Sequence, residues 1–327
     1  MDLLFLGTSS GVPTNQRNVT GLALIEERGQ HWHLIDCGEA SQHQILRTPL
    51  SLSKLDTILI THVHGDHCYG LPGVLASAAM SGRKQPLQII APQGIEEWLE
   101  ATCRLTQLYL PYEVHYRSAE NLHDSTHGGF IIDSIELSHR VPSYAYRFTE
   151  TQVERRLNTQ KLDDDQIPRG PLWGKIQQGI DVEFNGQRLV SADYLFYDRR
   201  PRRLIVAGDN DTPALLTSAS KDCDVLVHEA TYTRDVAAHQ AASYGHSTAH
   251  DIASFAEAVK LPNLILTHFS PRYQNRSDAS PSINDIESEA RSAYSGHLHL
   301  AADYARYQLD RQSGVQCLYH PYTDNSR

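Results

Sequence analysis

THVHGDHCYG, residues 61–70, follows an apolar run that ends at Ile58, Leu59 and Ile60, and it brings His62, His64, Asp66 and His67 into six consecutive positions. Three imidazoles and a carboxylate this close together are poorly placed in a sealed apolar core, because each needs a hydrogen-bond partner or a cation. On an extended chain, side chains 62 and 64 can point to the same side, and a turn at Gly65 can aim Asp66 and His67 back at the same place. The stretch therefore reads as a buried strand that opens into a metal site, with one segment able to serve two ions. Zinc accepts imidazole nitrogen and carboxylate oxygen, and a catalytic zinc site keeps a position open for water, so further ligands are required from elsewhere.

Candidates stand where other strand-like runs end: His139 after IIDSIELS, Asp209 after LIVAG and His268 after LILT. Ligands in open α/β sheets collect beyond the carboxyl ends of strands, so these placements are the expected ones. A single histidine at a strand end is more often structural; seven suitable side chains recurring in suitable places point to a centre. Two other pairs, His31 with His33 and His297 with His299, are not followed by Asp-His and read as imidazoles on one face of a strand, without a function.

Further out, strand-like runs (DLLFLG, TGLALIE, HWHLID, TILITH, LQIIAP, FIIDSIELSH, SYAYRF, RLIVAGD, DVLVHEA, NLILTHF) alternate with expected helices over 70–81, 93–107, 211–220, 247–259 and 282–294. This is an α/β pattern. Its hairpin-like opening favours a mixed sheet or two stacked sheets over a purely parallel one. Residues 150–180 break the rhythm with an acidic run at Asp163–Asp165 followed by Pro168, Gly170, Pro171 and Gly174. An insertion of that length reads as a protruding arm on one domain spanning 1–327.

The 327 residues can bury a sizeable core without staples, and five dispersed cysteines lack any CxxC spacing, which fits a reducing, cytoplasmic setting. The N-terminal MDLLFLGTSSG holds one short apolar run with no basic segment before it, so a soluble, unprocessed protein without a membrane partner is expected. A net charge of −10 argues against a protein that coats nucleic acid at large, and no DNA partner is expected. The arginines of DRRPRR, residues 198–203, read as a solvated loop leading into a strand.

THVHGDH resembles the metal motif of the metallo-β-lactamase superfamily, which implies an αββα sandwich of two mixed sheets carrying two metal ions. LGTSSGVPTNQRNVT at 6–20, SHRVPSYAYRF at 138–148, HEATY at 228–232, GHST at 245–248 and THFSPRY at 267–273 narrow the resemblance to ribonuclease Z, and they occur in order over nearly the whole chain. RGPLWGKI at 169–176 is similar to the Gly-Pro element of the family's tRNA-gripping arm. The chain departs from the family pattern in three places: a charge-balanced arm, GDN at 208–210 where GDT is common, and Ala145 where glycine is usual.

The resemblance implies a zinc-dependent endoribonuclease that removes the 3′ trailer from precursor tRNA by hydroxide attack, leaving a tRNA 3′-hydroxyl and a 5′-phosphate on the trailer. It places two Zn²⁺ per chain, with Mn²⁺ as the other suitable ion. His62, His64 and His139 would hold one ion, Asp66, His67 and His268 the second, and Asp209 would bridge them. Asp66 would also handle the proton of the attacking water, His246 would act as general acid, and Glu229 would support it. Arg169, Gly170, Pro171, Gly174 and Lys175 of the arm, with Arg272 near the centre, are the expected substrate contacts, and a homodimer is expected. A small-substrate phosphodiesterase or sulfatase of the same superfamily would need the metal centre but not the arm. A noncatalytic RNA-binding subunit would be missing ligands, whereas all seven are present.

Overall fold

The computed structural model describes residues 1–27, 31–197, 199–240, 244–276 and 278–321; Asp198 of the arginine-rich loop and the end of the C-terminal tail lie outside them. Strands β1 (Asp2–Gly7), β2 (Gly21–Ile25) and β3 (Trp32–Cys37) pair antiparallel in succession. Strands β4 (Leu55–Leu59), β5 (Leu87–Ala91) and β6 (Val114–Ser118) then extend the same sheet in parallel. A second sheet begins with β7 (Ser125–His127), β8 (Phe130–Leu137) and β9 (Ser143–Glu150).

The chain divides into two compact units, residues 150–202 and the remainder, 1–149 with 203–327. Within the smaller unit lie β10 (Arg155–Leu157), β11 (Val182–Phe184), β12 (Gln187–Leu189) and β13 (Leu195–Tyr197), paired β10 with β13 and β11 with β12. Leu162, Ile167, Ile176, Val182 and Tyr194 form its own core. At its two ends Glu150 accepts from Arg199 and Arg202 and its backbone N–H donates to the Arg202 carbonyl at 3.0 Å. Burial would raise the Glu150 carboxyl; the two guanidinium groups hold it down at about 2.

In the larger unit, β14 (Arg203–Ala207) returns antiparallel to β9, and β15 (Val225–Glu229), β16 (Asn263–Thr267) and β17 (His297–Leu300) add in parallel. Strands β18 (Arg306–Leu309) and β19 (Val315–Tyr319) then close the first sheet beside β1. The central strands are apolar on both faces because both are covered. Leu3 and Phe5 of β1 join Phe148, Val206 and Ile265 between the sheets, while Leu4 and Leu6 turn to α1 (Ser41–Leu46) and its neighbours. Helix α3 (Leu71–Met80) and α4 (Ile95–Thr106) cover the first sheet, and α8 (Ala249–Ala258) and α9 (Ile283–Ala293) the second. This is the expected αββα sandwich. The helix expected over 211–220 is only a 3₁₀ turn, Pro213–Leu216: the proline can start a turn, but the Thr-Ser-Ala-Ser segment after it offers too little apolar surface to extend one.

Candidate metal centre and acid–base pair

All seven expected ligands lie in the larger unit, past the ends of β4, β8, β14 and β16. Helix α2 (Gly65–Cys68) is a single turn that folds Asp66 and His67 back beneath His62 and His64. Gly208 permits the close approach that sets Asp209: a Cβ there would stand 2.6 Å from the Thr61 Cβ, nearer than side chains tolerate. His268 leaves β16 with φ 58°, a left-handed conformation that is unfavourable for a non-glycine residue and aims the ring across the sandwich.

The donors form two sets. His62 Nε2 and His64 Nδ1 are 3.1 Å apart, His64 Nδ1 and His139 Nε2 3.2 Å, and Asp209 Oδ2 is 3.5 Å from His62 and 3.7 Å from His139. In the second set His67 Nε2 and His268 Nε2 are 3.1 Å apart, Asp66 Oδ2 is 3.6 and 3.4 Å from them, and Asp209 Oδ1 is 3.5 and 3.4 Å from them. A tetrahedron of ligands at zinc–nitrogen distance has edges of about 3.3 Å. Each set thus has the dimensions of one coordination shell, and each carboxylate oxygen of Asp209 faces a different one.

The outward ring atoms decide what the inward ones offer. His67 Nδ1 donates to Asp36 Oδ2 at 2.7 Å, His139 Nδ1 to the Gly245 carbonyl at 2.7 Å, and His268 Nδ1 meets Thr231 Oγ1 at 3.0 Å. Thr61 Oγ1 gives its proton to Asp36 Oδ2 at 2.9 Å and so accepts from His62 Nδ1 at 3.1 Å. With those nitrogens committed as donors, lone pairs face lone pairs inside, an arrangement that a cation satisfies. The residues therefore fit a divalent metal. Burial, with the neighbouring His67 and His139 rings, holds His62 well below its ordinary pKa. Burial would lower His67 too, yet Asp209, Asp36 and Asp66 outweigh it and raise that ring to about 10, so a bound cation would displace a proton there.

His246 and Glu229 meet beside the first set, with His246 Nδ1 3.1 and 3.0 Å from the two Glu229 oxygens. Burial alone would neutralise both. Instead each holds the other charged: Glu229 is kept below the usual carboxylate range and His246 above the usual imidazole range. An open cleft of about 320 Å³ is lined by His64, His139, Asp209 and His246 together with Arg140, Tyr232 and Arg272, whose guanidinium lies 6.0 Å from the Tyr232 ring centre; Glu229 lies buried behind His246.

In the smaller unit, α5 (Thr159–Asp164) precedes α6 (Pro171–Gln177), and α7 (Arg234–Ala238) follows in the larger. Gly170 takes φ 156° and ψ −151°, open to glycine alone, before Pro171 starts α6, which carries Gly174 and Lys175. Arg169 donates to Asp163 Oδ2 at 2.9 Å and lies 5.2 Å from the Trp173 ring, so part of its charge is already matched.

Sequence reasoning gave no role to Asp36, to Thr231 within HEATY or to Asn210 within GDN. Asp36 closes a strand, the same signal that marked Asp209 and His139. Asn210, the departure from GDT, is fully buried: its carboxamide accepts from Ser138 and Thr212 N–H and meets His228 Nε2 at 3.0 Å, while its own N–H donates to Glu229. Ala145 pairs with Ala207 across the sheet, a small residue opposite a small one. His33 is buried and packs edge-on against Phe130, in keeping with a structural role.

A family model described as anti-Pycsar protein Apyc1 matches residues 1–108, the part that carries the first metal motif. Ribonuclease Z of Pseudomonas putida (strain GB-1) is 51% identical over 97% of this chain and 99% of its own length. The crystal structure of human tRNase Z, short form, has a TM-score of 0.63 at 23% identity and covers 94% of this chain and 99% of that one. The metallo-β-lactamase fold protein YhfI from Bacillus subtilis has a TM-score of 0.64 at 18% identity, covering 93% and 98%. The two structures carry the fold, and the full-length sequence match carries the family: this chain belongs to the ribonuclease Z family.

Proposed function

We propose that the protein is a zinc-dependent endoribonuclease that cuts the 3′ trailer from precursor tRNA, with two ions per chain. The observation that carries this reading is the pair of ligand sets sharing Asp209, with His246, held by the buried Glu229, beside them at the cleft. His62, His64 and His139 would hold one ion, Asp66, His67 and His268 the other. When bound, the ions stabilise charge on the phosphoryl oxygens and lower the pKa of a coordinated water from 15.7 toward about 7.

Asp66 orients or accepts the proton of the attacking water. The leaving group is a ribose 3′ oxygen, which departs poorly without a proton. His246 supplies it from Nε2, because Nδ1 is engaged by Glu229. The products are a tRNA 3′-hydroxyl and a trailer with a 5′-phosphate. Arg272 at the rim faces the phosphate backbone, and Arg169, Gly170, Pro171, Gly174 and Lys175 form the grip on the remainder of the tRNA.

Among the described residues no helix is long and apolar enough to cross a membrane. A homodimer whose arm serves the neighbouring site goes with this reading, because an arm projecting from one subunit does not easily reach that subunit's own cleft; a light-scattering mass near that of one 36.7 kDa chain would contradict it. The functional reading is tested by incubating the protein with end-labelled precursor tRNA and mapping the cut and both end groups. A 3′-hydroxyl at the end of the tRNA body is expected; a 2′,3′-cyclic phosphate, or no cut, would overturn it.

A further inference from the structure

Thr231 lies two residues past Glu229, in the loop after β15, and is 1% exposed. Its hydroxyl touches Glu229 Oε2 and lies 3.0 Å from both the Nδ1 and the carbonyl of His268. A hydroxyl has one proton to give and lone pairs to receive. Glu229 can only accept, and it is the nearer acceptor, so the proton goes there. His268 turns Nε2 toward Asp66 and Asp209, which leaves Nδ1–H to donate to Thr231. Donors therefore run in one direction, from His268 through Thr231 to Glu229. From the other side Glu229 receives the His246 Nδ1–H, and its second oxygen receives the Asn210 N–H at 2.7 Å.

We infer that Thr231 is a positioning residue for the cleavage step: its hydroxyl fixes the Glu229 carboxylate between the second ligand set and His246, and so sets where His246 points relative to the ions. The inference rests on the reading of His246 as general acid. Orientation of an acid governs only reactions in which the leaving group needs a proton. Cleavage of RNA is one, whereas p-nitrophenolate leaves without help. Valine matches threonine in shape but neither gives nor receives a hydrogen bond, and serine keeps the hydroxyl.

The test compares Thr231→Val, Thr231→Ser, His246→Ala and the Val/Ala double variant, as metal-loaded protein, on precursor tRNA and on bis(p-nitrophenyl) phosphate. Thr231→Val should lower kcat on precursor tRNA about tenfold or more with KM and metal content little changed, and should fall far less on the activated ester. Thr231→Ser should recover most of the loss, and adding Thr231→Val to His246→Ala should slow RNA cleavage no further. If the Val variant does not fold, Thr231→Ala carries the same comparison. Wild-type RNA cleavage by Thr231→Val, equal losses on both substrates with loss of metal, or a full additional loss in the double variant would each overturn the inference. A His246→Ala protein that cuts RNA normally would instead overturn the acid assignment.

Discussion

Asp209 is the residue on which the two ligand sets depend together, since one of its oxygens faces His62 and His139 and the other faces His67 and His268. Asp209→Ala should therefore weaken both sites at once, and elemental analysis should find well under one metal per chain in the purified variant and close to two in the native protein. Retention of one full equivalent would show independent sites. At this scale the ligands were legible because their chemistry is unusual for the places they occupy: imidazoles and carboxylates at the ends of apolar strands need a reason. Their supports were less so. Asp36 was readable only as one more strand ending in aspartate, and Thr231 and Asn210 stand inside HEATY and GDN with nothing in spacing or composition to say what they touch. Their roles arise from which chains meet in space, a long-range property of the fold.

Among the elements, the strands with near-continuous apolar runs and the helices flanked by clear start and stop residues were legible, because both sheet faces are covered and local pattern and burial agree. The edge strands β6, β17 and β19, and β18 beside β19, were not, since half-exposed runs such as VHYRS and VQCLY carry mixed polarity. The 150–202 unit is longer than the 150–180 segment that its composition marked, because the turn between Phe184 and Gln187 and the short strands that follow have no strong pattern. Glu150 and Arg202 already bond to one another, so a short Gly/Ser linker can join them in place of 151–201. That replacement should leave metal content and hydrolysis of bis(p-nitrophenyl) phosphate largely intact while precursor tRNA binding weakens sharply, because remote binding helps only a substrate able to reach it. Equal losses on both substrates would make the unit structural. No loss on either would favour a small-substrate phosphodiesterase.

In the whole molecule, two sheets packed face to face bring the ends of β4, β8, β14 and β16 to one rim, and the ligand pattern scattered over 62–268 becomes one centre there. The α/β alternation announced the class, and the hairpin opening announced a mixed sheet; the sandwich itself follows from apolar residues on both faces of the central strands. Cleavage of precursor tRNA at this rim should depend on two cations held jointly through Asp209. This dependence is tested most directly by stripping the protein with a chelator and returning zinc in measured equivalents while following precursor cleavage. Activity should be absent in the stripped protein, stay low through the first equivalent and reach its plateau near two per chain. Undiminished cleavage by the stripped protein, or full activity at one equivalent, would contradict the account.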